Sequence, residues 1–304
     1  MEISQIIVNS LIRGAELSLL AIGLTMVYDI LGFANFAHTE FAAFGAFLGF
    51  TFNSLLGINL LLSVVLAALL TGLIGILLDL SIFEKLRARN AKTLTMMIIT
   101  MGMGIAIRNI SRLIWTSSTK NFPMPLLQPL KILGARITRV QLGILFIAAI
   151  SMVAFHLLLH HTKFGKALRA ISDNKELARA SAIDSAKMVQ WMWFVAYSYA
   201  VIGGTMLAIE HLLYPRLGFD IIIPVFCAAI LGGIGNPYGA VLGALTLGFA
   251  ENVIISLDFG PLFSLGGLFD VGSLQLSTGY KPAISFMILI LVLLIKPTGI
   301  LGEN

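Results

Sequence analysis

Charge is scarce in this 304-residue chain: Asp, Glu, Lys and Arg together make 12%, about half of what a soluble domain carries. With 58% hydrophobic residues beside it, that scarcity excludes a water-soluble globule and predicts a membrane-embedded chain. Cysteine is nearly absent. The single Cys227 excludes an intrachain disulfide, and its apolar surroundings predict a small packed residue rather than a reactive thiol. No GxxxxGK[ST] phosphate-binding loop occurs, and no polar stretch is long enough for a fused ATP-hydrolysing domain. Any energy source is expected to be another subunit. Met1 to Gln5 lack a basic region leading into a short apolar core, so a cleaved signal peptide is not expected.

What is present is a series of long uncharged runs. The first, about Ile6 to Met26, is interrupted only by Arg13 and Glu16, three residues apart on one helical face where they can neutralise each other. Phe41 to Leu78 holds 38 uncharged residues, about two bilayer spans, with Asn53, Ser54, Gly57 and Asn59 marking a turn between them. Further spans cover Thr93 to Trp115, Val140 to Leu159 and Met188 to Ile209. The uncharged stretch from Ile221 to Ala250 is broken at Gly232-Gly233-Ile234-Gly235-Asn236-Pro237-Tyr238-Gly239. The last run, between Lys281 and Lys296, has only 14 residues, so it forms a short helix or recruits residues from Gly272 to Tyr280.

Lys and Arg mark cytoplasmic loops. Ten of the 20 basic residues lie in Phe83 to Lys92 and His160 to Lys187, which places both segments inside. Ser117 to Arg139 also carries four basic residues but falls outside by counting; it is spread out and contains Pro123, Pro125 and Pro129. The prediction is an all-α polytopic transmembrane bundle of about 8–9 segments, with an outside N-terminus and an inside C-terminus. It forms a single transmembrane domain over 1–304. Two Gly-rich helices, near Gly32 to Asn35 and Gly232 to Pro237, are expected to be broken or re-entrant.

The loop 160–187 has a helix-forming, mixed-charge composition. Asp173-Asn174 offers an N-cap before Lys175, Glu176, Leu177 and Ala178, and Ala178 with Ala182 suggests a small-residue face. Such a helix suits a surface that a cytoplasmic motor pushes against, or an ordinary solvated connector. Lys166 to Asn174, running into Ala178 and Ala182-Ile183, resembles the coupling loop of ABC-importer permeases. Four further stretches resemble the branched-chain amino acid and amide permease family: Gly23 to Tyr28, Asn35 to His38, Ala229 to Ala240, and Lys296 to Gly302. The chain departs from the family's glycines at Asp29, Thr39 and Ala182; the last is tolerable if its turn does not need positive φ.

The resemblance implies a bacterial inner-membrane permease without a cofactor of its own and without a nucleic-acid partner. A second, related permease would complete the path, two cytoplasmic ATP-binding subunits would hydrolyse ATP, and an extracytoplasmic binding protein would deliver branched-chain or other neutral amino acids, amides or urea. Arg169, Asp173, Asn174, Glu176, Ala178 and Ala182 are the expected ATPase-coupling residues. Interrupted helices expose backbone groups that can bind substrate. The expected pathway residues are therefore Asn35, His38, Glu40, Gly232, Gly233, Gly235 and Asn236, with small-residue helix packing as the other reading of the glycines.

Glu40 and Glu251 are pathway candidates because buried charge is costly; internal pairing or solvation at helix ends would also account for them. Arg108 and Arg112 are expected to snorkel, and Asp79 to be solvated. His156, His160 and His161 have a metal-compatible spacing but no accompanying carboxylate, so an interfacial cluster is favoured. No catalytic motif emerges. An ATP-independent carrier or channel remains the principal alternative, and an intramembrane enzyme a weaker one.

Overall fold

A computed structural model describes residues 3–124, 128–132, 134–258, 275–296 and 298–302. Pro125, Pro297 and positions 272–274, named above, lie outside the described residues. Helix α1, Ile3–Leu31, is the axis of the bundle, buried nearly all round from Ile12 to Val27. After a non-helical stretch, α2 spans His38–Phe50 and continues as a π-helical turn, Thr51–Leu55. Helix α3, Leu60–Leu78, is capped by Asn59, whose side chain accepts from the Leu61 N–H. It runs through a π turn, Asp79–Phe83, into α4, Glu84–Ala88. Next come α5, Thr93–Trp115, α6, Arg139–His161, and the short helices α7, Lys163–Asp173, and α8, Lys175–Ala180. The order ends with α9, Ser185–Glu210; α10, Leu217–Asp220; α11, Ile222–Gly232; α12, Pro237–Ser256; and α13, Lys281–Ile295.

Among the described residues, seven helices are long and apolar enough to cross a membrane, and Leu217–Gly232 is a shorter apolar helix. The final span reaches the needed length by recruiting Thr278–Tyr280 as a 3-10 turn ahead of α13. One antiparallel hairpin, Leu130–Ile132 with Ala135–Ile137, departs from the all-helical expectation within the 117–139 connection.

Helices α9, α12 and α11 surround α1. Small residues set how closely α12 approaches: a Cβ added to Gly248 would lie 2.7 Å from the Gly14 nitrogen and the Ser10 carbonyl oxygen. Aromatic rings fill the centre, with Phe41 stacked on Tyr197 at 4.4 Å and Phe83 on Trp193 at 4.9 Å. Helices α3, α5, α6 and α13 turn Leu, Ile and Met outward. In lipid this apolar periphery is satisfied without further folding. Cys227 is fully buried in the core, as expected.

Candidate functional site: two chain interruptions and a helical loop

Helix α1 ends where Gly32 adopts φ +68° and its N–H donates to the Tyr28 carbonyl at 2.8 Å. Residues 32–37 are non-helical, yet Asn35 and Ala37 are wholly buried. Such backbone needs partners from the protein itself. Asn35 Oδ1 accepts from the Ala37 N–H at 3.1 Å, its Nδ2 donates to the Tyr197 hydroxyl at 3.3 Å, and Thr100 Oγ1 accepts from the Phe36 N–H at 3.2 Å. His38 is also fully buried. Its Nε2 lies 2.9 Å from the Leu20 carbonyl, which can only accept, so Nε2 carries the proton; Nδ1 has no partner among the described residues. Asn35 and His38 thus hold the broken chain in place.

A second interruption, not singled out from the sequence, lies between α9 and α11. Leu213 and Lys120 exchange backbone hydrogen bonds of 2.7 and 3.0 Å, and α10 brings Gly218 against α2, where an added Cβ would lie 2.6 Å from the Thr39 carbonyl oxygen. Glu40 is paired there with Arg108 of α5, whose guanidinium lies 4.6 Å from the centre of the Phe219 ring. Phe36 stacks on Phe226 at 5.1 Å. The two broken segments therefore meet around Glu40 and Gly218. The sequence signal was Tyr214-Pro215-Arg216-Leu217-Gly218, a proline and a glycine in apolar surroundings.

The Gly232 to Gly239 segment is a turn between antiparallel helices. Gly233 (φ +109°) and Gly235 (φ +92°) shape it, and Asn236 caps α12 by accepting from the Tyr238 and Gly239 N–H groups. Gly232 and Gly239 pack backbone to backbone: a Cβ on Gly232 would lie 2.0 Å from the Gly239 carbonyl oxygen. The chain end closes the turn, with the Ile300 and Leu301 N–H groups donating to the Leu231 and Gly232 carbonyls at 2.8 and 3.0 Å. Close packing by small residues accounts for these glycines locally.

The buried carboxylates Glu40, Asp79 and Glu251 are each paired with an arginine. Arg108 was expected to snorkel, but the buried Glu40 carboxylate holds it. Asp79 was expected to be solvated, but it is fully buried and takes Arg87 in a two-pronged pair of 2.6 and 2.8 Å; the π turn brings the carboxylate inward. Arg13 donates from Nε to Glu251 at 3.0 Å, while its expected partner Glu16 lies at 3.9 Å. Glu251 also accepts from the Ser285 hydroxyl.

The loop 160–187 is folded as α7 and α8. Leu168 and Ile171 face inward, whereas Arg169, Asp173, Asn174 and Glu176 are exposed. Arg169 donates to the Leu159 carbonyl at 3.0 Å, and Ser172 donates to Asp29 at the end of α1 at 2.6 Å. Asp173 ends α7, and Asn174 alone caps α8, accepting from the Glu176 and Leu177 N–H groups. Ala178 is buried, but Ala182 lies beyond the end of α8 at φ +61°, so the two do not form one helical face. The turn does require the positive φ that glycine tolerates best.

His156 bonds the Tyr238 hydroxyl at 2.9 Å and packs on His160 with ring centres 4.7 Å apart. Among the described residues, no group of three or more His, Cys, Asp and Glu side chains is placed to hold a metal.

A helical bundle with multiple apolar spans and buried, paired charges is a multi-pass membrane protein. Residues 6–293 match the family described as branched-chain amino acid transport system / permease component, and the chain belongs to that family. It is 31% identical over 313 residues to the high-affinity branched-chain amino acid transport system permease protein LivH of Salmonella typhimurium, covering 97% of this chain and 94% of LivH. It is equally identical over 315 residues to BraD of Pseudomonas aeruginosa, covering 98% and 95%. Among solved structures, PsaBC from Streptococcus pneumoniae in complex with Fab shares the fold, with a TM-score of 0.50 and 13% identity over 95% of this chain and 91% of that one. The chain is accordingly a transport permease component and not an enzyme.

Proposed function

We propose that this chain is one of two permease subunits of a bacterial inner-membrane ABC importer for branched-chain or other neutral amino acids, amides or urea. Its 304 residues form one transmembrane domain with a cytoplasmic coupling loop at 160–187, an outside N-terminus and an inside C-terminus. The observation that carries this reading is the α7–α8 loop, which presents exposed polar residues and is tied directly to the end of α1. Two ATP-binding subunits dock on this loop and hydrolyse ATP, so the chain needs no cofactor. A binding protein delivers cargo to the opposite side. Motor closure moves α7, and α7 pulls on α1 and the α11–α12 turn beside it. The second permease completes the path, with Glu40 and Gly218 at the level where the two broken segments meet. Each ligand shifts the equilibrium only by its differential affinity for the two states.

Glu40 and Glu251, the two carboxylates on which a proton-coupled carrier would be expected to depend, are both paired with arginine, which supports this reading over that one. The test is replacement of Arg169 to Ala182 by a flexible polar linker. Loss of ATPase co-purification together with loss of import is expected. Full-rate transport by the reconstituted chain alone would overturn the proposal. The ligand retained by the partner binding protein identifies the cargo.

A further inference from the structure

At the end of the bundle opposite α7 lies a cavity of about 290 Å³, near the lower end of the range for small-molecule sites. It is built from α1, α6, α9, α12 and the start of α13, and α2 and α10 contribute nothing to its wall. It is therefore separate from the place where the broken segments meet.

Two of its charged groups are left incomplete. Glu16 is 1% exposed; among the described residues its Oε1 has no hydrogen-bond partner, and its Oε2 lies 3.9 Å from Arg13. Lys281 also lines the cavity, and among the described residues no carboxylate oxygen comes within 4.0 Å of its ammonium. The other charges are engaged: Arg13 is bonded to Glu251, and Glu210 accepts from the Gln141 amide at 2.8 Å. A buried carboxylate oxygen without a donor is costly in an interior this dry. A metal cation or an amine would complete Glu16 alone, and a simple anion would complete Lys281 alone. A small zwitterion completes both. Ile6, Ile12 and Ile255 supply an apolar wall between the polar groups.

We infer that this cavity is a binding site for a small zwitterion, a free amino acid with a short aliphatic side chain. Its ammonium is held by Glu16 and its carboxylate by Lys281, within one permease subunit and apart from the path between subunits. Such a site can sense or retain amino acid at the face away from α7 without any motor subunit, so it stands independently of the importer proposal.

The experiment uses the purified full-length chain in lipid nanodiscs, without ATPase or binding protein. Radiolabelled L-leucine is bound at equilibrium, with leucinamide, 4-methylpentanoate and sodium chloride as competitors. Saturable binding of one leucine per chain is expected, with leucinamide, which lacks the carboxylate, and 4-methylpentanoate, which lacks the ammonium, each at least tenfold weaker. Glu16→Gln and Lys281→Gln should each weaken leucine at least tenfold, and the double variant little further. Lys281 is partly exposed, so Lys281→Gln still tests the site if Glu16→Gln misfolds. Leucine binding unchanged in Lys281→Gln, competition by leucinamide or sodium equal to that by leucine, or no saturable binding to folded protein would each overturn the inference.

Discussion

The Ser172 hydroxyl donates to Asp29 Oδ1 at 2.6 Å across 143 positions of sequence, joining helix α7 to the end of the central helix α1. The tie depends on the Asp29 carboxylate, since the Ser172 hydroxyl has no other acceptor among the described residues. An exposed hydrogen bond of this kind contributes about 1 kcal/mol, roughly a fivefold change in an equilibrium. Ser172→Ala should therefore lower import per ATP hydrolysed severalfold in the reconstituted transporter, with only a small fall in the thermal midpoint. A proportionate fall of ATPase activity and import would instead mean lost docking.

Glu40 and Arg108 make the second testable tie. Removing one partner of a buried pair leaves an uncompensated charge and costs about 3 kcal/mol or more. Arg108→Ala should lower the unfolding midpoint clearly, and Glu40→Gln with Arg108→Gln should recover much of the loss. A double-mutant cycle on detergent-purified protein measures the coupling directly.

Glycines in this chain divide by what surrounds them. Gly232→Ala should disrupt the α11–α12 turn, since its Cβ would overlap the Gly239 carbonyl, and should expose residues 231–240 to proteolysis or hydrogen exchange. Gly102, on α5, has no atom within 4 Å of an added Cβ. Gly102→Ala should leave the isolated chain at least as stable, since alanine favours a helix by up to about 1 kcal/mol.

Around α8, Ala182→Gly relieves a left-handed residue and should stabilise the loop by about 1 kcal/mol. Asn174→Ala removes the α8 cap and should destabilise it by about the same amount. Opposite changes in hydrogen-exchange protection of residues 175–183 are the readout.

Asp184 caps α9, and the Lys187 backbone N–H holds its carboxyl below the usual carboxylate range, with the Lys187 side chain adding to the effect. A depressed folded value means that the cap's contribution is complete above the ordinary carboxylate range and disappears as pH falls through the folded value. Protection of the first turn of α9 should fall with acidification in the native chain and stay flat in Asp184→Asn.

Membrane residence and most helices were legible in the sequence because an uncharged run long enough for a span has few alternatives in lipid. The break after Gly32 was legible too, since Gly and Asn interrupt an apolar run there. The partners of Arg108, Asp79 and Arg13 were not. Hydropathy marks a charge as costly without saying which distant charge offsets it: Arg13 meets Glu251 from 238 positions away. The positive φ of Ala182 was hidden for a related reason, because alanine gives no local signal for a left-handed turn. The fold packs the glycines of the α11–α12 turn closely, which is one of the two readings the sequence allowed, and places His156 and His160 beside Tyr238.

The Arg13–Glu251 pair also bears on how the protein is made. When α1 leaves the ribosome its arginine has only Glu16 nearby, and at about 5–20 residues per second the partner carboxylate is synthesised roughly ten to fifty seconds later. Until then the first helix carries an imperfectly neutralised charge, which is fully offset only when the nascent chain closes on itself.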